Sequence, residues 1–312
     1  MSAPPPPSDP TVPSLRAGGP ATRLARAYGG LVFLVTCLIV LGASVRAFEA
    51  GLACPDWPLC FGEVIPQLNL QVAFEFGHRV LAGSVSLLFL FLAFRTWPRP
   101  EMRRHVVLVT VLLGLQIVLG GLTVLQLLAE WTVTSHLVTG NSVNAALLWL
   151  ALRLGESGHE VRRAPRLRGA GTWVAVTVAL AVAQIVLGGL VASSYAGLAC
   201  PEWPTCNGGL WVPSLEGTVG LHVLHRFNGY ALLAALLGGA AVFRAGGRFG
   251  RLARTAAGLG LAQVAVGIAN VLSGLPEGVT VLHSLLAALL VLTLTATIRE
   301  WLVSPATPGE YR

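Results

Sequence analysis

Residues 51–60 read GLACPDWPLC and residues 197–206 read GLACPEWPTC, two copies of one loop 146 residues apart. Any fold for this chain must therefore contain two like units. The repeat extends past the loop. His78 and His136 follow the first copy, and His225 and His283 follow the second at nearly the same offset. All four stand in apolar stretches. A Cys-x5-Cys loop with matched histidines, present twice, is more than packing demands. It suggests two half-bundles, each able to hold a metal or a haem.

The stretches between the loops set the fold class. Spanning a bilayer as a helix takes about 20 apolar residues. Eight runs qualify: 28–48, 72–94, 105–127, 132–153, 172–194, 219–243, 252–273 and 279–301. Only 11% of the residues are charged, where a soluble protein carries about 25%. The chain reads as an all-α polytopic membrane protein with eight transmembrane helices.

The formal net charge of +7 comes from arginine alone, for the chain has no lysine. Its placement excludes a nucleic-acid partner and gives a topology. Arg16, Arg23 and Arg26 precede the first run. Arg95, Arg99, Arg103 and Arg104 follow the second, Arg153 to Arg168 the fourth, and Arg244 to Arg254 the sixth. The alternate connections, 49–71, 128–131, 195–218 and 274–278, hold no arginine. Under the positive-inside rule both termini are cytoplasmic and both Cys loops face outside, as in a multi-pass protein of the cell membrane. Four helices per half is an even number, so both halves enter the membrane in the same sense. The halves form two parallel-repeated four-helix bundles. The expected divisions are a disordered cytoplasmic tail (1–25), an N-terminal half (26–153), a cytoplasmic linker (154–171), a C-terminal half (172–302) and a C-terminal tail (303–312).

Each candidate chemical residue has a plain reading beside the functional one. A lone histidine in an apolar helix is usually a packing residue. Four at matched depth point to ligation, because ionisable groups inside a membrane are costly unless used, and imidazole binds metals and haem iron. His105 beside Arg104 and His159 in a connection read as solvated. Arg79 and Arg226 each follow a ligand candidate. They can bind haem propionates through a bidentate fork or anchor a helix end by snorkelling. Arg46 is a further propionate candidate, and its repeat counterpart is Ala192. Glu75 lies three residues before His78 on the same helix face, and its counterpart is His222. An intramembrane carboxylate can serve catalysis or simply pair with Arg79. Disulfides Cys54–Cys60 and Cys200–Cys206 are expected within the loops, as a structural clamp or as a redox relay. Neither loop has a histidine for a zinc site. Cys37 is unpaired in the first helix. The strings LQIVLGGL (115–122), AQIVLGGL (183–190) and AQVAVGIA (262–269) read as close-packing helix faces, with Gln116 and Gln263 repeat-related.

The doubled GLACP-x-WP-x-C loop, the E-x-x-H-R of 75–79, the H-R of 225–226 and the four histidines together resemble haem A synthase. The resemblance covers about residues 25–302. It implies an enzyme that oxidises the C8 methyl of haem O to a formyl group by two successive hydroxylations, with a b-type haem as resident cofactor. It implies that His225 and His283 ligate the cofactor haem and that His78 and His136 hold the substrate haem. It also implies that Glu75 assists at the reacting edge. The synthase that supplies haem O and the assembly of terminal oxidases are the implied partners. A membrane di-haem electron carrier of b type also fits the repeat and the four histidines, and a transporter with proton-relaying histidines fits the parallel halves. Glu75 without a twin favours the enzyme. The prenyl transferase that makes haem O needs Asp-rich motifs, and this chain has two aspartates, Asp9 and Asp56. Glu49 has no assigned role.

Overall fold

The computed structural model describes residues 20–156 and 167–304. Much of the N-terminal tail, the middle of the linker with His159, and the end of the C-terminal tail lie outside the described residues. Eight long helices carry the chain: α1 (Pro20–Ala47), α2 (Leu70–Thr96), α3 (Pro100–Leu125), α4 (Glu130–Glu156), α5 (Ala170–Ser193), α6 (Gly217–Val242), α7 (Gly247–Leu272) and α8 (Glu277–Val303). The protein is an all-α polytopic membrane protein. Seven of these helices are long and apolar enough to cross a membrane. The other, α6, matches them in length but carries His222, His225, Arg226 and Asn228, which dilute its hydropathy.

Helix ends follow local chemistry. Asn69 caps α2, its side chain accepting the Val72 N–H at 2.9 Å. Pro100 opens α3 at a position where a missing N–H costs nothing. At the Cys-loop end the four odd helices terminate alike. Glu49, Leu128, Tyr195 and Leu275 each take a left-handed conformation with φ of 53°, 61°, 53° and 61°. Each donates its own or the next residue's N–H back into the helix that ends there. Glu49 is thus a turn residue. Helix α1 starts at Pro20, inside the stretch assigned to the tail. Its extra turns are made of helix-favouring Ala, Leu and Arg, and Leu24 and Ala25 pack on the core.

The halves meet through α1 against α8, α4 against α5, and α4 against α8. The α4–α5 contact is close because Gly189 faces Thr134, and Thr134 Oγ1 lies 3.2 Å from Ser193 Oγ. Arg299 and Glu156 form an ion pair across the halves at the arginine-rich end. The largest core cluster lies in the N-terminal half, where Tyr28, Leu31, Phe89, Leu147 and Leu154 are sealed among α1 to α4. Repeat symmetry is broken in one respect. Helices α1 and α4 pack extensively while α2 and α3 barely touch. In the second half α6 and α7 pack well while α5 and α8 touch little.

Candidate functional site

Each of the four histidines rests against a glycine on the preceding helix. A Cβ on Gly42 would come within 3.0 Å of the His78 ring, and one on Gly120 within 3.0 Å of His136. On Gly188 it would lie 3.1 Å from His225, and on Gly267 3.0 Å from His283. All four glycines lie five residues before the end of their helices. The rings therefore occupy hollows that only glycine leaves open, at one depth near the Cys-loop end. In the sequence the strings around Gly120, Gly188 and Gly267 look like helix packing. Their function as histidine seats was missed, although a glycine recurring at the histidines' own repeat offset was a usable signal.

Polar partners are sparse. The Gln116 amide nitrogen is 3.3 Å from His136 Nε2, and that of Gln184 is 3.2 and 3.3 Å from the two His225 nitrogens. Gln184 Oε1 in turn accepts Asn228 Nδ2 at 2.7 Å. Nδ1 of His78, His136 and His283 is buried with no partner. So is Nδ1 of His105, which is half-buried near the arginine-rich end rather than solvated. A buried polar atom left unpaired costs about 1–3 kcal/mol, a cost that ligation of an iron would remove. His78 and His136 stand on α2 and α4 of the first half, and His225 and His283 on α6 and α8 of the second. Each rests on a glycine of its own half, so each half holds one pair. Among the described residues, no three His, Cys, Asp or Glu side chains cluster to hold a bare metal ion. Two imidazoles per half, in an apolar bundle, fit a haem, whose porphyrin supplies the remaining iron ligands.

Above the histidines sit the two Cys loops. Both expected disulfides are formed, Cys54–Cys60 with Cα atoms 4.7 Å apart and Cys200–Cys206 with 4.3 Å. Both loops contain a cis Trp-Pro bond, Trp57–Pro58 and Trp203–Pro204. Asp56 Oδ1 and Oδ2 accept the N–H groups of Phe61 and Gly62 at 2.6 and 2.8 Å. Glu202 does the same for Gly208 and Gly209 at 3.1 and 3.2 Å. These bonds hold both carboxyls below their ordinary range, that from Gly62 contributing most at Asp56 and that from Gly209 at Glu202.

Arg79 and Arg226 reach up from the helices and bind the loops from below. Arg79 donates to the carbonyls of Cys54 (3.1 Å), Asp56 (2.7 Å) and Leu59. Arg226 donates to the equivalent carbonyls of Cys200 (2.5 Å), Glu202 (2.9 Å) and Thr205 (3.0 Å). This loop clamp was not foreseen from sequence. A ring of carbonyls looks like any other loop until it is folded around a guanidinium. Arg46 donates to the carbonyl of Ala192, its own repeat counterpart, and its guanidinium lies 4.5 Å from the Tyr195 ring centre. It thus ties the first half to the loop entrance of the second.

The halves differ most at Glu75. Its carboxylate is buried, accepting Arg79 at 2.5 Å and the Cys54 backbone N–H at 3.1 Å. Its counterpart His222 is equally buried, with Nδ1 2.9 Å from the Ala196 carbonyl. Both residues brace a loop, but only the first half places an acid one turn from a glycine-seated histidine.

A family model described as cytochrome oxidase assembly protein, COX15-CtaA, matches residues 25–74 and 67–295. The chain belongs to this family. The match to COX15-CtaA takes in both Cys loops, all four seated histidines and Glu75. Curated relatives carry the name "Heme A synthase". The protein from Shewanella oneidensis is 32% identical over 85% of this chain and 92% of its own length. That from Halalkalibacterium halodurans is 30% identical over 87% and 95%, and that from Alkalihalophilus pseudofirmus 32% over 65% and 70%.

Proposed function

We propose that this COX15-CtaA member oxidises the C8 methyl group of haem O to a formyl group, making haem A. Two successive hydroxylations, each a two-electron oxidation driven by an external oxidant, give a geminal diol that loses water. The observation that carries this reading is the matched pair of glycine-seated histidine pairs, of which only one has a buried carboxylate beside it. Family membership and relatives named for the activity support it.

His225 and His283 hold a resident b-type haem, which supplies redox chemistry when bound. His78 and His136 hold the substrate haem and fix its reacting edge. Glu75 stands one helical turn from His78, where oxidation of a methyl group releases protons and builds positive character. A carboxylate there can take a proton and stabilise that charge. The Cys54–Cys60 loop and Arg79 position it. Arg46, Arg79 and Arg226 keep positive charge at the Cys-loop end of each half, where haem propionates would meet it. Through their carbonyl bonds Arg79 and Arg226 also hold the loops as lids. The alternation of arginine-rich and arginine-free ends supports a topology with the loops outside and the termini in the cytoplasm.

Expression of the chain beside a haem O source tests the reading. Chromatography of the extracted haems should show haem A. Recovery of haem O alone would refute the reading.

A further inference from the structure

The two halves part company on the arginine-rich side of the histidines. In the second half α6 and α7 lie close, and small residues make this possible. Ala253, Ala256 and Ala257 are buried at 0, 0 and 4% exposure, and Gly260 faces Leu236. The residues 147 places earlier are Val106, Val109, Thr110 and Leu113. These larger side chains stand where α2 and α3 barely touch. The result is an open apolar groove of about 460 Å³ lined by Ala93, Phe94, Trp97, Val106 and Thr110. Thr110 is exposed in it, whereas its counterpart Ala257 is sealed.

A second difference lies deeper in the first half. Asn144 is 1% exposed, and its Nδ2 donates to Thr36 Oγ1 at 3.0 Å. Its Oδ1 is a buried acceptor with no partner. The counterpart in the second half is Val291.

We infer that these two features recognise the arm that haem O carries and protohaem lacks, a hydroxyethyl group extended by a farnesyl chain. The inference rests on the proposed function and names how the substrate half selects its haem. Propionates need water, and the histidines lie near the Cys-loop end, where water is closest, so the propionates face that end. The farnesyl-bearing edge is opposite them on the macrocycle and so points toward the arginine-rich end. Ala93 lies 15 residues beyond His78 on α2, about 20 Å along the helix, a span for an extended isoprenoid chain rather than for the macrocycle. Asn144 stands at an intermediate depth, eight residues beyond His136, about 12 Å along α4, and its free oxygen accepts the hydroxyl at the root of the arm. Lipid tails are as apolar as a farnesyl chain, so no hydrophobic gain drives the chain into the groove. Selection comes from shape, since the second half closes the same space with packed helices and excludes the arm. It comes also from the unpaired acceptor, which tail-less protohaem leaves unsatisfied.

The test is binding, read separately from turnover. The purified protein with its resident haem is titrated with haem O and with protohaem, for the wild type, Thr110→Trp and Asn144→Val. Thr110→Trp fills the groove at an exposed position and leaves the core intact. Both variants should keep the resident haem, and each should bind haem O about tenfold more weakly, a loss of about 1.4 kcal/mol. Wild-type affinity for haem O in Thr110→Trp would overturn the groove assignment and leave it a lipid-lined surface. Wild-type affinity in Asn144→Val would overturn the hydroxyl assignment. Failure of the wild type to bind haem O at all would overturn the functional reading itself, and this inference with it.

Discussion

The glycine seats give the sharpest perturbation. In Gly267→Ala a Cβ would stand 3.0 Å from His283 Cε1, closer than nearly all real contacts, so the ring must give by a few tenths of an ångström. The ring cannot move freely, because it lies between α7 and α8, which pack along their lengths. Overpacking of this kind costs about 1–3 kcal/mol. The cost falls on the conformation that ligates, so a middle value of about 2 kcal/mol weakens resident haem binding about 30-fold. The same change removes a glycine from a helix interior, worth about 1 kcal/mol in favour of the helix. The helix gain offsets part of the overpacking, so the haem-free protein should lose at most about 1 kcal/mol of stability, less than the haem affinity loses. The assay is haem-to-protein ratio after purification and titration of the haem-free protein with haemin. Gly258→Ala on the same helix, where nothing lies within 4 Å of the new Cβ, serves as the control and should bind normally. Unchanged affinity and spectrum in Gly267→Ala would refute the idea that the glycine seats the ligand.

Glu75→Gln keeps the shape and removes the charge. It should retain b-type haem and folded protein yet accumulate haem O or a hydroxylated intermediate, and normal haem A output would reduce the carboxylate to a partner of Arg79. Peptide mapping without reduction should recover Cys54 linked to Cys60 and Cys200 linked to Cys206. Replacing the second pair by serine should cost about 2 kcal/mol for so short a loop, read as lower thermal stability and haem retention. Because the Asp56 and Glu202 carboxyls are held below their ordinary range, their contribution to loop order is present above the ordinary carboxylate pKa of about 4 and is lost as pH falls through the lowered value. Tryptophan fluorescence of the loops should stay unchanged from neutral pH to about pH 4 and change only below it. A change centred above that pH would contradict the assigned hydrogen bonds.

Several features were legible in the sequence because they are local or periodic. Long apolar runs placed all eight helices, since a membrane span must satisfy its own backbone. The doubled loop announced both disulfides, and a shared offset announced the histidine pairs. Other features depend on what lies opposite a residue, which periodicity does not encode. The seats at Gly42, Gly120, Gly188 and Gly267 look like ordinary close-packing glycines until the facing histidines arrive. At Arg79 and Arg226 the sequence shows the charge and not the loop carbonyls around it, so the clamp on the Cys loops was hidden. The start of α1 at Pro20 was hidden by the proline-rich residues before it, which mask a helix-favouring stretch. The groove beside α2 and α3 shows only when Thr110 is set against Ala257 and Val109 against Ala256, a comparison that needs the folded register of the two halves.

The central claim is a division of labour between halves that share one architecture. Resident haem content of four single variants tests it most directly. His225→Ala and His283→Ala should lose most of the low-spin b-type haem from the purified protein, while His78→Ala and His136→Ala should keep it and lose binding of haem O. Loss of resident haem from His78→Ala and His136→Ala, with His225→Ala and His283→Ala fully loaded, would contradict the assignment.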